Sequence, residues 1–497
     1  MNEKLSQKEL FWPLLIMGLG LLVYGHSLAN GFFLDDVHYV QNNPSITSLS
    51  GLAKMWSFPA IPYYDNPVTL TFFWLEHKLW GFNPWGYHCI NLTFHLLNAL
   101  LLYGLVLRLK PIVAGVTAVL FTIHPIQVET VVWISELKNL LCLFFFFLAL
   151  HNFLDFEKSG PKKPYIKMLL FFTASILSKF TGVCFVAIPF LYAWAKRQTI
   201  HKRTIFLTLP FFFLGALSIL IPIHVQNAAS TDLAMPLFPD NITLAGRLFF
   251  FYIKQILLPW KFLTLYPHWD ISARHPANWI YPLGVLSLYT TFYCNRERWG
   301  RGAFTLLCFY GISIFPALGF FKITLFSTSY GADHFTYLSV PPLLFLICNA
   351  GHSSLLKIHA FLTQAPVLLK RSLAIIIITY LALSSYRLTL NYKDRPTVWF
   401  SFLKQAPESP FGYYFMGAEI LRISPEKAIP FFEKAISLKA DFFKAYEGLG
   451  VTYLKVGATE KAILAFREGV RLKPENKAAR ENLETAKAAL AKSKANN

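Results

Sequence analysis

The chain has 497 residues, of which 55% are hydrophobic, 17% aromatic and only 15% charged, with a formal net charge of +19. A soluble globule cannot hide that much apolar surface, so composition excludes a soluble enzyme and specifies an integral membrane protein. The basic residues are spread over short loops and a tail, which fits membrane orientation and not a nucleic-acid footprint.

Segment 11–29 is long enough to span a bilayer and no small-residue cleavage pattern follows it, so it reads as a retained anchor. Directly after it comes Asn30-Gly-Phe-Phe-Leu-Asp-Asp-Val-His-Tyr-Val-Gln-Asn-Asn-Pro44. Two adjacent carboxylates, Asp35 and Asp36, stand there in an apolar context. Helix caps or a solvated loop would explain them. A base at a membrane-facing cavity is the functional reading, since an ionised aspartate can orient and deprotonate a hydroxyl.

Further spans are predicted near 88–107, 112–125, 138–154, 168–179, 181–195, 204–223, 279–294, 303–321, 335–349 and 371–388, eleven in all with the first. Basic clusters at Lys4 and Lys8, Arg108 and Lys110, 158–167, 196–203, 296–301 and 357–371 all fall in the cytoplasm if the N-terminus is inside. Segment 246–259 is apolar enough to cross, but a single crossing would move Arg296 to Arg301 outside. It is read as re-entrant or interfacial. This orientation gathers Asp35, Asp36, Asp65, His124, Glu129, Lys179, His268, Asp270, Asp333 and His334 on the non-cytoplasmic side. A transporter more often carries its ionisable groups near the midplane.

Within the second span, His88, Asn91 and His95 share one helical face and point into the protein. Interhelical hydrogen bonding accounts for them more simply than zinc, which lacks a fitting third ligand. Pro125 forces a turn or a new helix start, so His124 and Glu129 are expected at the outer surface, with Lys138 near the head of the next span. Lys179 stands alone between two apolar runs. It either snorkels to the interface or accompanies an anion such as a lipid-linked phosphate. The six cysteines, Cys89, Cys142, Cys184, Cys294, Cys308 and Cys348, lie in or beside apolar runs without metal-ligand spacing, and read as small buried hydrophobes.

After Arg387 the composition changes. Ala428, Ile429, Phe432 and Leu438 recur as Ala462, Ile463, Phe466 and Leu472, each 34 residues on. That is the tetratricopeptide period of paired helices. Residues 476–492 make a charged helix suited to capping the stack, and Asp394 to Pro407 a degenerate leading half-repeat. The expected fold is all-α: a polytopic helical membrane domain over 1–390, then a short extracytoplasmic tetratricopeptide α-solenoid over 391–497.

Taken together, the motifs resemble the GT-C superfamily of membrane glycosyltransferases, and within it the transmembrane and tetratricopeptide repeat O-mannosyltransferases and their bacterial relatives. The resemblance covers nearly the whole chain. It rests on Gly31-Phe-Phe-Leu-Asp-Asp36 with Asn43-Pro44, Gly81-Phe-Asn-Pro-Trp-Gly-Tyr-His-Cys-Ile-Asn91 with His95, Phe121-Thr-Ile-His-Pro-Ile-Gln-Val-Glu-Thr130, Ser178-Lys179, and Tyr330-Gly-Ala-Asp-His-Phe-Thr-Tyr-Leu338. It implies a first-loop aspartate that activates an acceptor hydroxyl, here Asp35 with Asp36 in support. It implies a polyprenyl-phosphate sugar donor, held by candidates His88, His124, Glu129, Lys138, Lys179, Asp333 and His334, and no obligatory metal. The acceptor it implies is a protein or glycan, with a protein acceptor docking on the repeats. The setting expected is a bacterial inner membrane. The chain departs from relatives at Asn66-Pro67, Glu136-Leu137-Lys138 and Asp333-His334-Phe335, where they commonly read Arg-Pro, Glu-Arg-Lys and Asp-Arg-Tyr. Three arginines, the bidentate phosphate readers, are replaced. A catalytically degenerate, membrane-anchored repeat scaffold therefore stays as the alternative.

Overall fold

Proline sets the starts of several helices in the membrane body. Pro67, Pro84 and Pro111 open the Pro67–Trp80, Pro84–Leu109 and Pro111–Ile123 helices, where the missing N–H costs nothing. Asn83 caps the second of these by accepting from Trp85 N at 3.1 Å. The computed structural model describes residues 7–57, 66–160, 162–229, 236–321, 324–361 and 367–495, and no strand occurs among them. The chain is all-α. It divides into two compact units, one of Met1–Phe262 with His268–Tyr392, the other of Leu263–Pro267 with Lys393–Asn497.

Among the described residues of the first unit five helices are long and apolar enough to cross a membrane: Leu10–Ala29, Pro84–Leu109, Ile134–Ser159, Lys202–Leu220 and Ala374–Tyr392. The Pro111–Ile123 and Pro125–Val132 pair, bent by 52°, makes a sixth if it is one span. Eleven spans are predicted, so the described helices supply five or six by length and apolarity. Phe180–Ala195, Arg301–Ala317 and Val340–His352 are apolar but shorter. The predicted 168–179 and 181–195 spans meet at a break. The Lys162–Ser178 helix stops, Lys179 is extended at φ −162°, and a 3-10 stretch resumes at Phe180–Ala187. Segment 246–259 lies largely within a continuous helix, Asp240–Leu257, that buries Leu244, Leu248 and Tyr252. Lys4 and Asp65 lie outside the described residues, as do the side chains of the 357–371 basic cluster.

The apolar spans turn their aliphatic residues outward and their polar ones inward. Leu14 and Leu22 are 66% and 68% exposed, as lipid-facing residues are. Gly115 lets the N-terminal helix seat closely, since a Cβ there would lie 2.0 Å from the Trp12 indole. One face of Pro84–Leu109 carries the interhelical bonds. Asn91 donates to Trp133 O at 2.9 Å, His95 Nε2 pairs with Thr122 O at 3.0 Å and its Nδ1 with Tyr337 Oη at 2.9 Å, and Asn98 donates to Leu140 O at 2.9 Å. Each such bond contributes about 0.5–1.5 kcal/mol net, and together they fix where the loops at the helix ends emerge.

The second unit is built from paired helices: Pro410–Ile420 with Pro425–Leu438, then Phe443–Lys455 with Thr459–Leu472, closed by Lys477–Ala495. The residues 34 apart play matching parts. Ala428 and Ala462 are fully buried, and Phe432 and Phe466 fill the seams. A Cβ on Gly450 would lie 2.6 Å from the Phe466 ring, so glycine admits the aromatic knob. Ala479, Leu483 and Ala486 of the last helix are buried and cover the end of the stack. Trp399, on the leading Arg395–Gln405 helix, stacks on Phe415 at 4.4 Å.

Candidate active site

Four segments converge at one end of the membrane body: the first loop, the stretch after the His124-Pro125 bend, the break at Lys179, and the Asp333–Thr336 turn. In the first loop Leu34 has φ +48°, a costly conformation for a branched residue. Asp36 holds it. The Asp36 carboxylate is fully buried and accepts from Phe33 N at 3.0 Å and from Ser135 N at 2.8 Å. These bonds pin the loop to the post-bend stretch and leave the neighbouring Asp35 exposed. Burial pushes the Asp36 carboxyl up to about 7, against the opposite pull of the two backbone N–H groups.

The post-bend stretch supplies the acids. Glu129, 3% exposed, accepts from both His334 N and His334 Nδ1 at 3.0 Å. Glu136, 1% exposed, pairs with Lys138 Nζ at 2.9 Å and faces His334 Nε2 at 4.0 Å. Its other oxygen accepts from Asn139 Nδ2, which also donates to His334 O at 2.9 Å. Lys179 Nζ donates to Asn139 Oδ1 at 2.7 Å and lies 5.9 Å above the Phe335 ring. Lys138 lies 5.0 Å above the Tyr39 ring and within Coulomb range of Asp35. A chain of paired polar side chains therefore runs from Glu129 through His334, Glu136 and Lys138 towards Asp35, with Asn139 linking it to Lys179.

Lys179 and Asn139 also form the polar end of a cavity of about 710 Å³. Its remaining walls are largely aromatic and aliphatic, with Phe180, Phe190, Phe212 and Phe315 among them. Such a space accepts a long apolar chain whose one polar end meets an ammonium.

Not every candidate joins the cluster. His124, expected at the outer surface, is 2% exposed. Its Nε2 lies 2.9 Å from Ile256 O and its Nδ1 accepts from Ile126 N, so the bend's own backbone uses the ring as a cap. His88 is buried with Nε2 3.1 Å from Asn30 O, where it supports the base of the first loop. Asp333 is buried and opens the turn that carries His334. His268 pairs with Phe326 O and Asp270 with His275, both outside the cluster. The sequence reading left Glu136 and Asn139 out of the site. A signal was present: Glu136, Lys138 and Asn139 crowd one helix start. It also missed Glu76, 2% exposed, whose two carboxylate oxygens have no hydrogen-bond partner among the described residues. No group of three or more His, Cys, Asp or Glu placed to hold a metal occurs among the described residues.

The fold defines an integral membrane protein with an all-helical body and a tetratricopeptide unit. A family described as dolichyl-phosphate-mannose-protein mannosyltransferase matches residues 64–223, and a tetratricopeptide repeat family matches residues 443–476. The first match contains Glu129, Glu136, Lys138 and Lys179 and begins after Asp35. Protein O-mannosyl-transferase F38B6.6 of Caenorhabditis elegans is 24% identical over 81% of this chain and 59% of its own length. The mouse (Mus musculus) protein O-mannosyl-transferases TMTC1 and TMTC4 are 28% and 23% identical, over 36% and 58% of this chain and 21% and 42% of theirs. The chain thus spans less than two thirds of these relatives' length. A crystal structure of ArnT from Cupriavidus metallidurans bound to undecaprenyl phosphate is similar with a TM-score of 0.40 and 14% identity, over 92% of this chain and 80% of that one. The chain is thus similar to protein O-mannosyl-transferases, and its second unit to tetratricopeptide repeats.

Proposed function

We propose that this chain is a membrane glycosyltransferase that moves a sugar from a polyprenyl-phosphate donor to a hydroxyl of a protein or glycan on the non-cytoplasmic face. The observation that carries the reading is the apolar 710 Å³ cavity that ends on Lys179 and Asn139, beside the charged cluster and Asp35. The polyprenyl chain occupies the cavity and its phosphate meets Lys179, with Lys138 and His334 within the same cluster. Asp35 takes the proton of the acceptor hydroxyl, and that oxygen attacks the sugar C1. The bond from C1 to the phosphate oxygen breaks, and its electron pair leaves on polyprenyl phosphate. Stabilising that departing charge is the larger catalytic contribution. Asp36 is a positioning residue for the loop. The names of the relatives favour mannose as the sugar. The tetratricopeptide unit presents acceptor proteins. The N-terminus is cytoplasmic, the repeats are extracytoplasmic, and a bacterial inner membrane is the setting.

One observation favours a second reading, a degenerate anchored scaffold. Two of the site's nitrogen donors are already engaged by buried acids, Lys138 by Glu136 and His334 by Glu129, and the three family arginines are replaced. The deciding experiment incubates the purified full chain with radiolabelled polyprenyl-phosphate mannose and a hydroxyl-bearing acceptor peptide. Release of polyprenyl phosphate with label on the peptide, lost in Asp35→Asn, supports the enzyme. Neither binding nor turnover of the donor overturns it and leaves the scaffold.

A further inference from the structure

A second cavity lies at the other end of the membrane body. Its volume is about 390 Å³, and Leu105, Phe147, Leu306 and Phe345 are among its walls. The Pro84–Leu109 helix fixes its place. That helix begins beside the first loop, where His88 meets Asn30 O, and ends at its C-cap Lys110. At about 1.5 Å per residue its ends are about 39 Å apart. Among the described residues of the lining, Lys110 and Lys196 are the only charged ones, and no carboxylate is among them. Both are exposed, and the Lys196 ammonium lies 5.8 Å above the Tyr192 ring. Trp299, 45% exposed, completes an aromatic and basic rim, the composition of a membrane–water boundary.

The shape and charge select among ligands. A soluble anion has no use for aliphatic and aromatic walls. A neutral lipid or a bare hydrocarbon tail has no use for two ammonium groups without counter-charges. An amphiphile with one apolar chain and an anionic head satisfies both, and the surrounding bilayer supplies it. We propose that this cavity is a binding site for an anionic glycerophospholipid, with an acyl chain between the helices and the phosphate on Lys110 and Lys196. The site is separate from the donor cavity, although Leu191 and Leu338 line both, and it stands whether or not the transferase reading holds.

Native mass spectrometry of the purified full chain with equimolar phosphatidylglycerol and phosphatidylcholine tests it. The parent protein retains phosphatidylglycerol in preference. Lys110→Gln with Lys196→Gln lowers that retention about 5- to 30-fold, as two surface lysines near a lipid phosphate allow. Lys110→Arg with Lys196→Arg keeps it, which separates lost charge from lost folding, and Lys179→Ala leaves it unchanged. Equal retention of the two lipids by the parent means annular lipid only and overturns the proposal. So does an undiminished preference in the double glutamine variant. Displacement of phosphatidylglycerol by polyprenyl phosphate in Lys179→Ala assigns the cavity to the donor's tail and overturns it as well.

Discussion

His334 is held by Glu129 twice, through its backbone N–H and through its ring Nδ1, both 3.0 Å from the same carboxylate oxygen. One acid thereby fixes both the turn and the ring, and leaves Nε2 directed at Glu136, 4.0 Å away. In the proposed reaction this sets where the imidazole stands relative to the departing phosphate. Glu129→Gln keeps the size but lets the amide present an N–H where an acceptor is needed. We expect kcat/KM to fall about 10- to 100-fold, the usual cost of a misplaced contact near the chemistry, with donor binding less affected. Steady-state kinetics on the purified variant check it. An unchanged kcat/KM would remove His334 from the site.

Lys179 tests the donor cavity. Its ammonium donates to the neutral Asn139 Oδ1 at 2.7 Å and lines an apolar cavity. A charge-assisted phosphate contact contributes about 1.5–3 kcal/mol. Lys179→Ala should therefore weaken polyprenyl-phosphate binding about 10-fold or more, and Lys179→Arg much less. Equal affinity in the parent and both variants would make Lys179 a snorkelling residue.

Orientation is open to chemical labelling. With the six native cysteines replaced by serine, a cysteine at Ala458 should react with an impermeant thiol reagent in spheroplasts. Protection until lysis would reverse the assigned faces and move Asp35 to the cytoplasm.

The repeats were legible because their cores are local. Ala428, Phe432, Ala462 and Phe466 pack against neighbours in the same or the next helix, so spacing alone reveals the seam. Inward polar faces were legible too, since a buried His95 or Asn91 must find partners. Which partners they find was not. His124 and His88 carry the same pattern as site residues, and only the fold shows the main-chain carbonyls that occupy them. Glu136 and Asn139 went unseen because their meaning depends on His334, 195 positions away from Asn139. Apolar composition marked the runs on either side of Lys179, but not that the helices they form, Lys162–Ser178 and Phe180–Ala195, are shorter than the five or six long ones.

Glu76 carries a pH dependence of opposite sense to the usual surface carboxylate. It is buried on the Pro67–Trp80 helix without a hydrogen-bond partner among the described residues, and burial pushes its pKa well above the ordinary value. A carboxyl whose folded pKa is raised binds its proton more tightly when folded. It adds stability below the unfolded value, about 4.3, and that stability is lost as pH rises through the folded value. Glu76→Gln removes the titration. We expect the variant to be more stable than the parent at pH 8, by about 1–3 kcal/mol, and no more stable at pH 4. Thermal melts across that range in one detergent check the sign, and a parallel pair of profiles would refute it.

The adjacent acids of the first loop should separate cleanly. Both Asp36 oxygens accept from backbone N–H groups, those of Phe33 and Ser135, so it holds the strained turn at Leu34. Asp35 is exposed beside it, within Coulomb range of Lys138, free to meet a hydroxyl. Asp35→Asn preserves shape and removes basicity. Loss of a general base costs about 100- to 10,000-fold in rate, so transfer should vanish while the melting temperature and donor binding stay near the parent's. Asp36→Asn keeps one acceptor and loses the other, leaving a buried N–H unpaired at a cost of about 1–3 kcal/mol. It should lower the melting temperature and reduce transfer less than Asp35→Asn does. Rates and melts on the two purified variants decide the matter. A dead Asp36→Asn beside a live Asp35→Asn would exchange the roles of the two acids, and parent-level transfer by Asp35→Asn would take the base out of this loop altogether.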